Sequence, residues 1–309
     1  MAIRSAARSS DRRRFPRYSA TLIAATALMA LGGGFWITQV NAKVGSLDGV
    51  KGLHYTVNHA GDFASAAEVG FNLADVSSVW ALDDLGDDAK GILWMRNGYD
   101  KVCEWQRNDA DTEEVLVTVR DHPHFSHIYF IADTPHPSVC PDAPQRIADR
   151  TALIKNLDPE ARTFIAVSGG HKYQEEFAQL SDAADLSGVV VYPCNFKDEA
   201  CKVEKITERV QRAFDAGIPH ERLVPVFQAF GQSCSTNEKK FYRLPTADEL
   251  KAILTLWDEL LPPETRPFTM TYSWGEQERH ACPSLATASG GSYPDLKNIY
   301  TNYFAGRPL

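Results

Sequence analysis

Three carboxylates stand where an acid–base reaction could use them. Asp133 closes the apolar run 128–132, Asp75 lies inside the apolar run 73–76, and Glu276 follows the run 268–272 by four residues. A carboxylate at the end of an apolar strand is costly to ionise unless it is hydrogen-bonded or used chemically. Two such groups facing one another can cleave an acetal. One protonates the leaving oxygen while the other attacks, or activates water. A separation of about 5 Å predicts retention at the reacting carbon, and roughly 6.5–9.5 Å predicts inversion.

The neighbours of these acids are aromatic, amide or hydroxyl side chains. Tyr55 and Asn58 belong to the first apolar run and its end, Trp94 to the third, Tyr192 to the sixth, Gln228 to the seventh and Trp274 to the eighth. Aromatic faces pack on the CH faces of sugar rings, and neutral or anionic partners suit sugar hydroxyls. These six are the candidate contacts to a carbohydrate. Packing in a core is the competing role for both tryptophans. The strand ends hold no Lys/Arg cluster and no phosphate-cradling glycine loop, which argues against a phosphorylated substrate. The chemistry calls for water but for no cofactor and no metal. A segment with His122, His124 and His127 lies between a helix and the fourth run, where a solvated loop is expected. Around Ser168-Gly169-Gly170 the Gly-x-Ser-x-Gly pattern of a nucleophile elbow is missing.

The elements that must position these groups alternate along the chain. Eight apolar runs, at 52–57, 73–76, 91–95, 128–132, 163–168, 188–192, 223–228 and 268–272, are rich in Val, Ile, Phe and Tyr. Near-continuous apolar runs suit parallel strands covered on both faces. Amphipathic stretches separate them. Thr246-Ala247-Asp248-Glu249 reads as a capping box ahead of Leu250, Ile253, Leu254, Trp257 and Leu261. Val203, Ile206, Val210 and Phe214 form a second apolar stripe, with Gly217 at its stop. Helices are also expected at 144–156 and 296–304, whereas the second and third crossovers are less regular. Eight strands alternating with helices over about 250 residues predict a single (β/α)8 TIM barrel at 43–309, with its site at the C-terminal ends of the strands. A doubly wound open sheet is the competitor, disfavoured because Asn58-His59-Ala60-Gly61-Asp62 holds only one glycine after the first strand.

Charge divides the 309-residue chain. The net charge is −8, yet residues 1–42 hold six arginines and one acid, so the remaining residues carry −13. That acidity disfavours a nucleic-acid partner. Arg12-Arg13-Arg14, an apolar stretch over 20–37 and Val40-Asn41-Ala42 read in order as a signal peptide at 1–42. The arginines resemble the twin-arginine export motif, although Pro16 stands where a second hydrophobic residue is usual. The competing reading is an uncleaved N-terminal membrane anchor. Either route predicts a secreted or outward-facing domain, with no stable membrane partner beyond export or that anchor. All six cysteines lie in this domain, without a Cys-x-x-Cys pair, so disulfides are expected in place of a zinc site. Six cysteines allow 15 pairings, which the sequence alone does not fix; their places in the strand-to-helix loops suggest Cys103 with Cys140, Cys194 with Cys201 and Cys234 with Cys282, a set that would stabilise loops on the C-terminal face.

The segments Tyr129-Phe130-Ile131-Ala132-Asp133-Thr134-Pro135, Pro225-Val226-Phe227-Gln228-Ala229-Phe230-Gly231, Arg243-Leu244-Pro245-Thr246 and Tyr272-Ser273-Trp274 together resemble glycoside-hydrolase-type barrels whose fourth strand ends in Asp-Glu-Pro. The resemblance covers most of residues 50–305. It implies hydrolysis of a polysaccharide or glycoconjugate, with Asp133 as acid or base and Glu276 or Asp75 as its partner. Two departures matter: Thr134 replaces the motif's glutamate, and Gln228 stands where many such barrels carry a catalytic glutamate. They keep open a noncatalytic carbohydrate-binding barrel. An exported scaffold is a third reading, and it would need a large exposed apolar patch. Two carboxyls in one cleft favour the enzyme, and a lone Asp133 favours binding.

Overall fold

The computed structural model describes residues 52–309, apart from 60, 169–174, 181, 235–240, 278–279 and 289–293. The segment 1–42, with its expected signal peptide or anchor, lies outside the described residues, as do Gly169 and Gly170.

Eight parallel strands close into a barrel in chain order. They are β1 His54–Thr56, β2 Leu73–Val76, β3 Lys90–Trp94, β4 Phe125–Asp133, β5 Arg162–Ser168, β6 Leu186–Val190, β7 Leu223–Gln228 and β8 Thr269–Tyr272. Closure comes from β1 against β8, with Tyr55 beside Met270. The helices are α1 Phe63–Ala67, α2 Val79–Asp83, α3 Asp109–Val119, α4 Ala143–Leu157, α5 Glu176–Leu180, α6 Glu204–Asp215, α7 Ala247–Leu260 and α8 Pro294–Phe304. The open-sheet alternative is excluded by the closed strand order.

Strand alternation splits the apolar residues into two cores. Tyr55, Leu73, Ile92, Phe130, Phe164 and Val226 fill the barrel interior. Tyr129, Ile165, Phe227 and the buried faces of the helices form the layer around it. The capping box forms as the sequence predicts: Thr246 accepts from the Glu249 amide, and the Glu249 carboxylate accepts from the Thr246 amide. Helix α6 ends at Gly217, φ +80°, where the Gly217 and Ile218 amides donate to Phe214 and Ala213. That pair of bonds is the Schellman stop, which needs a left-handed residue.

The third crossover departs from expectation. Helix α3 is regular and capped by Asn108, although only Thr112, Leu116 and Val119 are buried. Its apolar stripe is too sparse to announce it. The histidine segment also differs from a solvated loop. Phe125 is buried in β4, His124 bonds to the Ala89 carbonyl and His127 lies 2.9 Å from the Asp158 carboxylate. These imidazoles tie the N-terminal end of the barrel together. Among the described residues, no helix is long and apolar enough to cross a membrane.

Candidate active site

A cleft of about 640 Å³ opens at the C-terminal ends of the strands. Asn58, Asp75, Trp94, Asp133, Tyr192 and Tyr272 all line it. These six come from different strands or the loops directly after them, so only barrel closure unites them.

Asp133 reaches the cleft through a local irregularity. Along β4 the register slips between Phe130 and Ala132, so Ile131 is an extra residue. Ile131 and Ala132 both pack in the outer core. Simple alternation from Phe130 would point Ala132 inward and Asp133 outward. The bulge reverses that parity and turns the carboxylate into the cleft. Asp133 is open to the cleft water, yet protein surrounds it closely enough to restrict its hydration. That burial, with the Asp100 charge second, pushes its carboxyl up to about 6. Asp100 lines the same cleft. Its carboxylate accepts from Asn97 Nδ2 at 3.2 Å and from the Val102 amide at 3.4 Å. The Asn97 side-chain oxygen accepts from the Asp133 amide at 3.0 Å. One amide side chain thereby fixes both the β4 end and the neighbouring charge.

Asp75 is held differently. The Tyr55 hydroxyl donates to its carboxylate at 3.0 Å, and the His59 ring lies 2.7 Å from its backbone carbonyl. Burial raises its carboxyl to about 6, while the Tyr55 bond and His59 oppose the rise. Burial and the Asp75 charge in turn push the Tyr55 phenol far up, so it stays a neutral donor. Asp133 adds to that rise. Tyr55 itself is fully buried and orients Asp75 from inside the barrel.

Aromatic rings wall the cleft. Trp94 packs edge-on against Phe130, with centroids 4.7 Å apart. Tyr192 stacks on Tyr272 at 6.0 Å and meets Phe230 and Tyr242 edge-on. Burial, then Asp133, raises the Tyr192 phenol. The same causes push Tyr272 up to about 12, against the Asn58 side chain, which favours the ionised phenol. Asn58 adopts φ +62°, and its buried amide nitrogen lacks a well-formed hydrogen bond. Gly275 presses on this turn: a Cβ there would lie 1.7 Å from the Asn58 carbonyl oxygen. Only glycine allows the last loop to hold Asn58 at the cleft.

The solved structures this barrel resembles are glycoside hydrolases. No family model matches the sequence, and no curated protein matches it. A β-glucuronidase from Ruminococcus gnavus in complex with D-glucuronic acid superposes with TM-score 0.54 at 12% identity, covering 82% of this chain and 49% of that one. An endo-β-1,3-glucanase from Amycolatopsis mediterranei in complex with laminaritriose superposes with TM-score 0.50 at 14% identity, covering 82% and 98%. This chain therefore spans about half the length of the β-glucuronidase and nearly all of the glucanase. At these identities the likeness is one of fold.

Three expected site residues lie elsewhere. Glu276 is exposed outside the cleft wall and accepts from the Thr287 hydroxyl; Gln277, the next residue, lines the cleft instead. Trp274 is 4% exposed, packed edge-on against Phe71 with Lys297 over its ring at 5.3 Å. It is a core residue between barrel and helices. Gln228 is 2% exposed, and its amide is consumed by backbone. It accepts from the Cys194 amide at 2.9 Å and donates to the Cys194 and Arg243 carbonyls at 2.9 Å each. A buried amide with those bonds joins two loops and has nothing left for a ligand.

Arg243 completes that junction. Its guanidinium makes two 2.7 Å bonds to Glu249, which hold that carboxyl down at about 2. The Arg-Leu-Pro-Thr segment is thus a loop brace ahead of α7. The three disulfides join Cys103 to Cys140, Cys194 to Cys201 and Cys234 to Cys282. Each clamps loops that follow strands. Both clusters of metal-ligand atoms among the described residues, Cys194-Cys201-Glu249 and Cys234-Glu276-Cys282, rest on these bonded sulfurs. A disulfide sulfur lacks the thiolate a metal requires.

Sequence reasoning missed Asn97, Asp100 and Glu176. Glu176, at the start of α5, is buried, accepts from the Ser138 hydroxyl at 3.0 Å and lies 3.5 Å from His136, which lines the cleft. An acid flanked by loop residues carries no periodic signal. Asp100 could have been found only by its place in the loop after the third strand.

Proposed function

We propose that this protein is an exported glycoside hydrolase acting on a polysaccharide or glycoconjugate. The observation that carries the reading is a pair of raised carboxyls, Asp133 and Asp75, in one aromatic-walled cleft at the C-terminal face. Asp133 accepts no hydrogen bond among the described residues and has Asp100 as its charged neighbour, so its protonated form is favoured. It donates that proton to the leaving glycosidic oxygen. Asp75, whose ionised form Tyr55 and His59 favour against the rise that burial imposes, attacks the sugar carbon or takes a proton from the attacking water in its carboxylate form. Water is consumed and no cofactor enters. Trp94, Tyr192 and Tyr272 supply ring faces for the sugar, and Asn58 brings an amide donor.

Residues 1–42 are the export leader in this reading, by the twin-arginine route, and 43–309 form the mature barrel. Three disulfides support an oxidising destination.

The experiment is a glycan panel assayed for both binding and reducing-end release, with Asp133→Asn and Asp75→Asn alongside. Each substitution is expected to lower turnover by about 10²–10⁴, the usual worth of a positioned acid or base. Full turnover by Asp133→Asn refutes the assignment. Binding without release by the unmodified protein supports the noncatalytic barrel, the outcome that Thr134 in place of a motif glutamate would favour.

A further inference from the structure

A second hollow, also about 640 Å³, lies outside the cleft along the loops after β2 and β3. Its most exposed ring is Trp80, 78% accessible, in α2. The helix explains that exposure. Val79 and Ala81 on either side pack against the outer core, leaving Trp80 to face the hollow it lines. Apolar burial therefore has no hold on this ring, and a tryptophan so exposed is unfavourable in water.

Two guanidinium groups share the hollow. Arg96 is exposed and follows the cleft residue Trp94 by two positions. Among the described residues it has no hydrogen bond and no carboxylate within 4.0 Å. Among the described residues Arg107 has a buried Nε without a partner, and its one side-chain bond is a long one, 3.5 Å, to the Asp111 carbonyl. A buried donor left unpaired is destabilising, so a ligand that supplies an acceptor is favoured there. Burial and the nearby Arg96 charge lower the Arg107 guanidinium below its usual range. Asp111 and Glu114 also line the hollow, so the acids balance the bases and a simple anion trap is not what is built. Ser77, two residues past Asp75, adds a hydroxyl.

An exposed ring beside unspent donors and balanced acceptors matches the surface of a sugar: CH groups on one face and oxygens around the edge. We infer that this hollow is a distal subsite for a further sugar unit of the same glycan, stacked on Trp80 and hydrogen-bonded by Arg96 and Arg107. The inference rests on the glycan reading of the cleft. It is favoured by continuity, since a smaller hollow between the two is lined by Asn58 and Asp75, which also line the cleft, and by Ser77, which also lines the second hollow. A protein built this way prefers a chain to a short glycoside.

The test uses the full chain carrying Asp133→Asn, to stop turnover. Binding is measured for laminarin, carboxymethyl-cellulose, glycol chitin and polygalacturonate, and for the matching trisaccharides. On the polymer that binds, Trp80→Ala is expected to weaken affinity about tenfold and Arg107→Gln about threefold, with trisaccharide binding changed less than twofold. Trp94→Ala should weaken both ligands. If Trp80→Ala binds polymer as tightly as the parent while Trp94→Ala loses it, the distal subsite is wrong and the cleft reading stands. If no polymer or trisaccharide binds, both fall together. Trp80 is exposed, so its loss should leave the melting temperature unchanged, which separates a binding defect from misfolding.

Discussion

Asp100→Asn isolates the charge that helps to keep Asp133 protonated. The substitution preserves size and removes one negative charge beside the proposed acid. Asp133 rises from an ordinary 3.8 to about 6, with burial the larger cause and Asp100 the second. Asp100 therefore accounts for less than half of that rise, about 1 pH unit at most. Removing a negative neighbour makes ionisation of Asp133 easier, so its titration moves down. The alkaline limb of kcat/KM, set by loss of the acid's proton, should fall from near pH 6 by up to about 1 unit. At pH 7 the rate then drops by up to about tenfold, while at pH 4.5 it is nearly unchanged. The pH–rate profile on a substrate from the glycan panel reads this directly. Carbon-13 titration of the Asp133 carboxyl reads it without substrate. A limb that stays in place or moves upward refutes the electrostatic reasoning. Asn97→Ala should shift the same limb less, because it loosens Asp100 and the Asp133 backbone without removing charge.

Asp75→Asn should stabilise the fold at neutral pH. The folded chain holds the Asp75 proton more tightly than the unfolded chain. That contribution is complete below about pH 4 and is lost as pH rises through about 6. The neutral side-chain amide of the variant still accepts from Tyr55 and should recover on the order of 2 kcal/mol at pH 7, read as a raised urea midpoint; an unchanged midpoint counts against a buried, raised carboxyl. Gln228→Leu should do the opposite. It strands the Cys194 amide and the Arg243 carbonyl, while the Cys194 carbonyl keeps the Arg243 amide at 3.3 Å, costing about 2–4 kcal/mol, with KM on surviving protein within about twofold of the parent. A large KM change with normal stability would mean that Gln228 touches substrate after all.

The barrel was legible because its signals are local and repeated. Each apolar run is a strand that must be covered on both faces, and Thr246, Glu249 and Gly217 mark helix ends through bonds a few residues long. The expected disulfide set agrees with the structure, although the order of the runs narrowed the 15 possible pairings without fixing them. Helix α3 was hard to read because three buried residues make a weak stripe.

The site was only partly legible. The types of Asp133, Asp75, Trp94 and Tyr192 and their strand-end positions placed them correctly at the cleft. The same rule misplaced Trp274 and Gln228, because a residue at or just past a strand end can turn inward to the cleft or outward to the helices, and one residue of phase decides which. Composition and spacing thus determined the eight-fold alternation, the division of charge along the chain and a short list of reactive side chains. Tertiary structure decided their direction. The extra residue in β4 turned Asp133 into the cleft, Gly275 let the last loop press Asn58 to its rim, and Cys194 with Arg243 took up the whole of Gln228. Each of those outcomes depends on contacts between strands or loops distant in sequence, which no local pattern encodes.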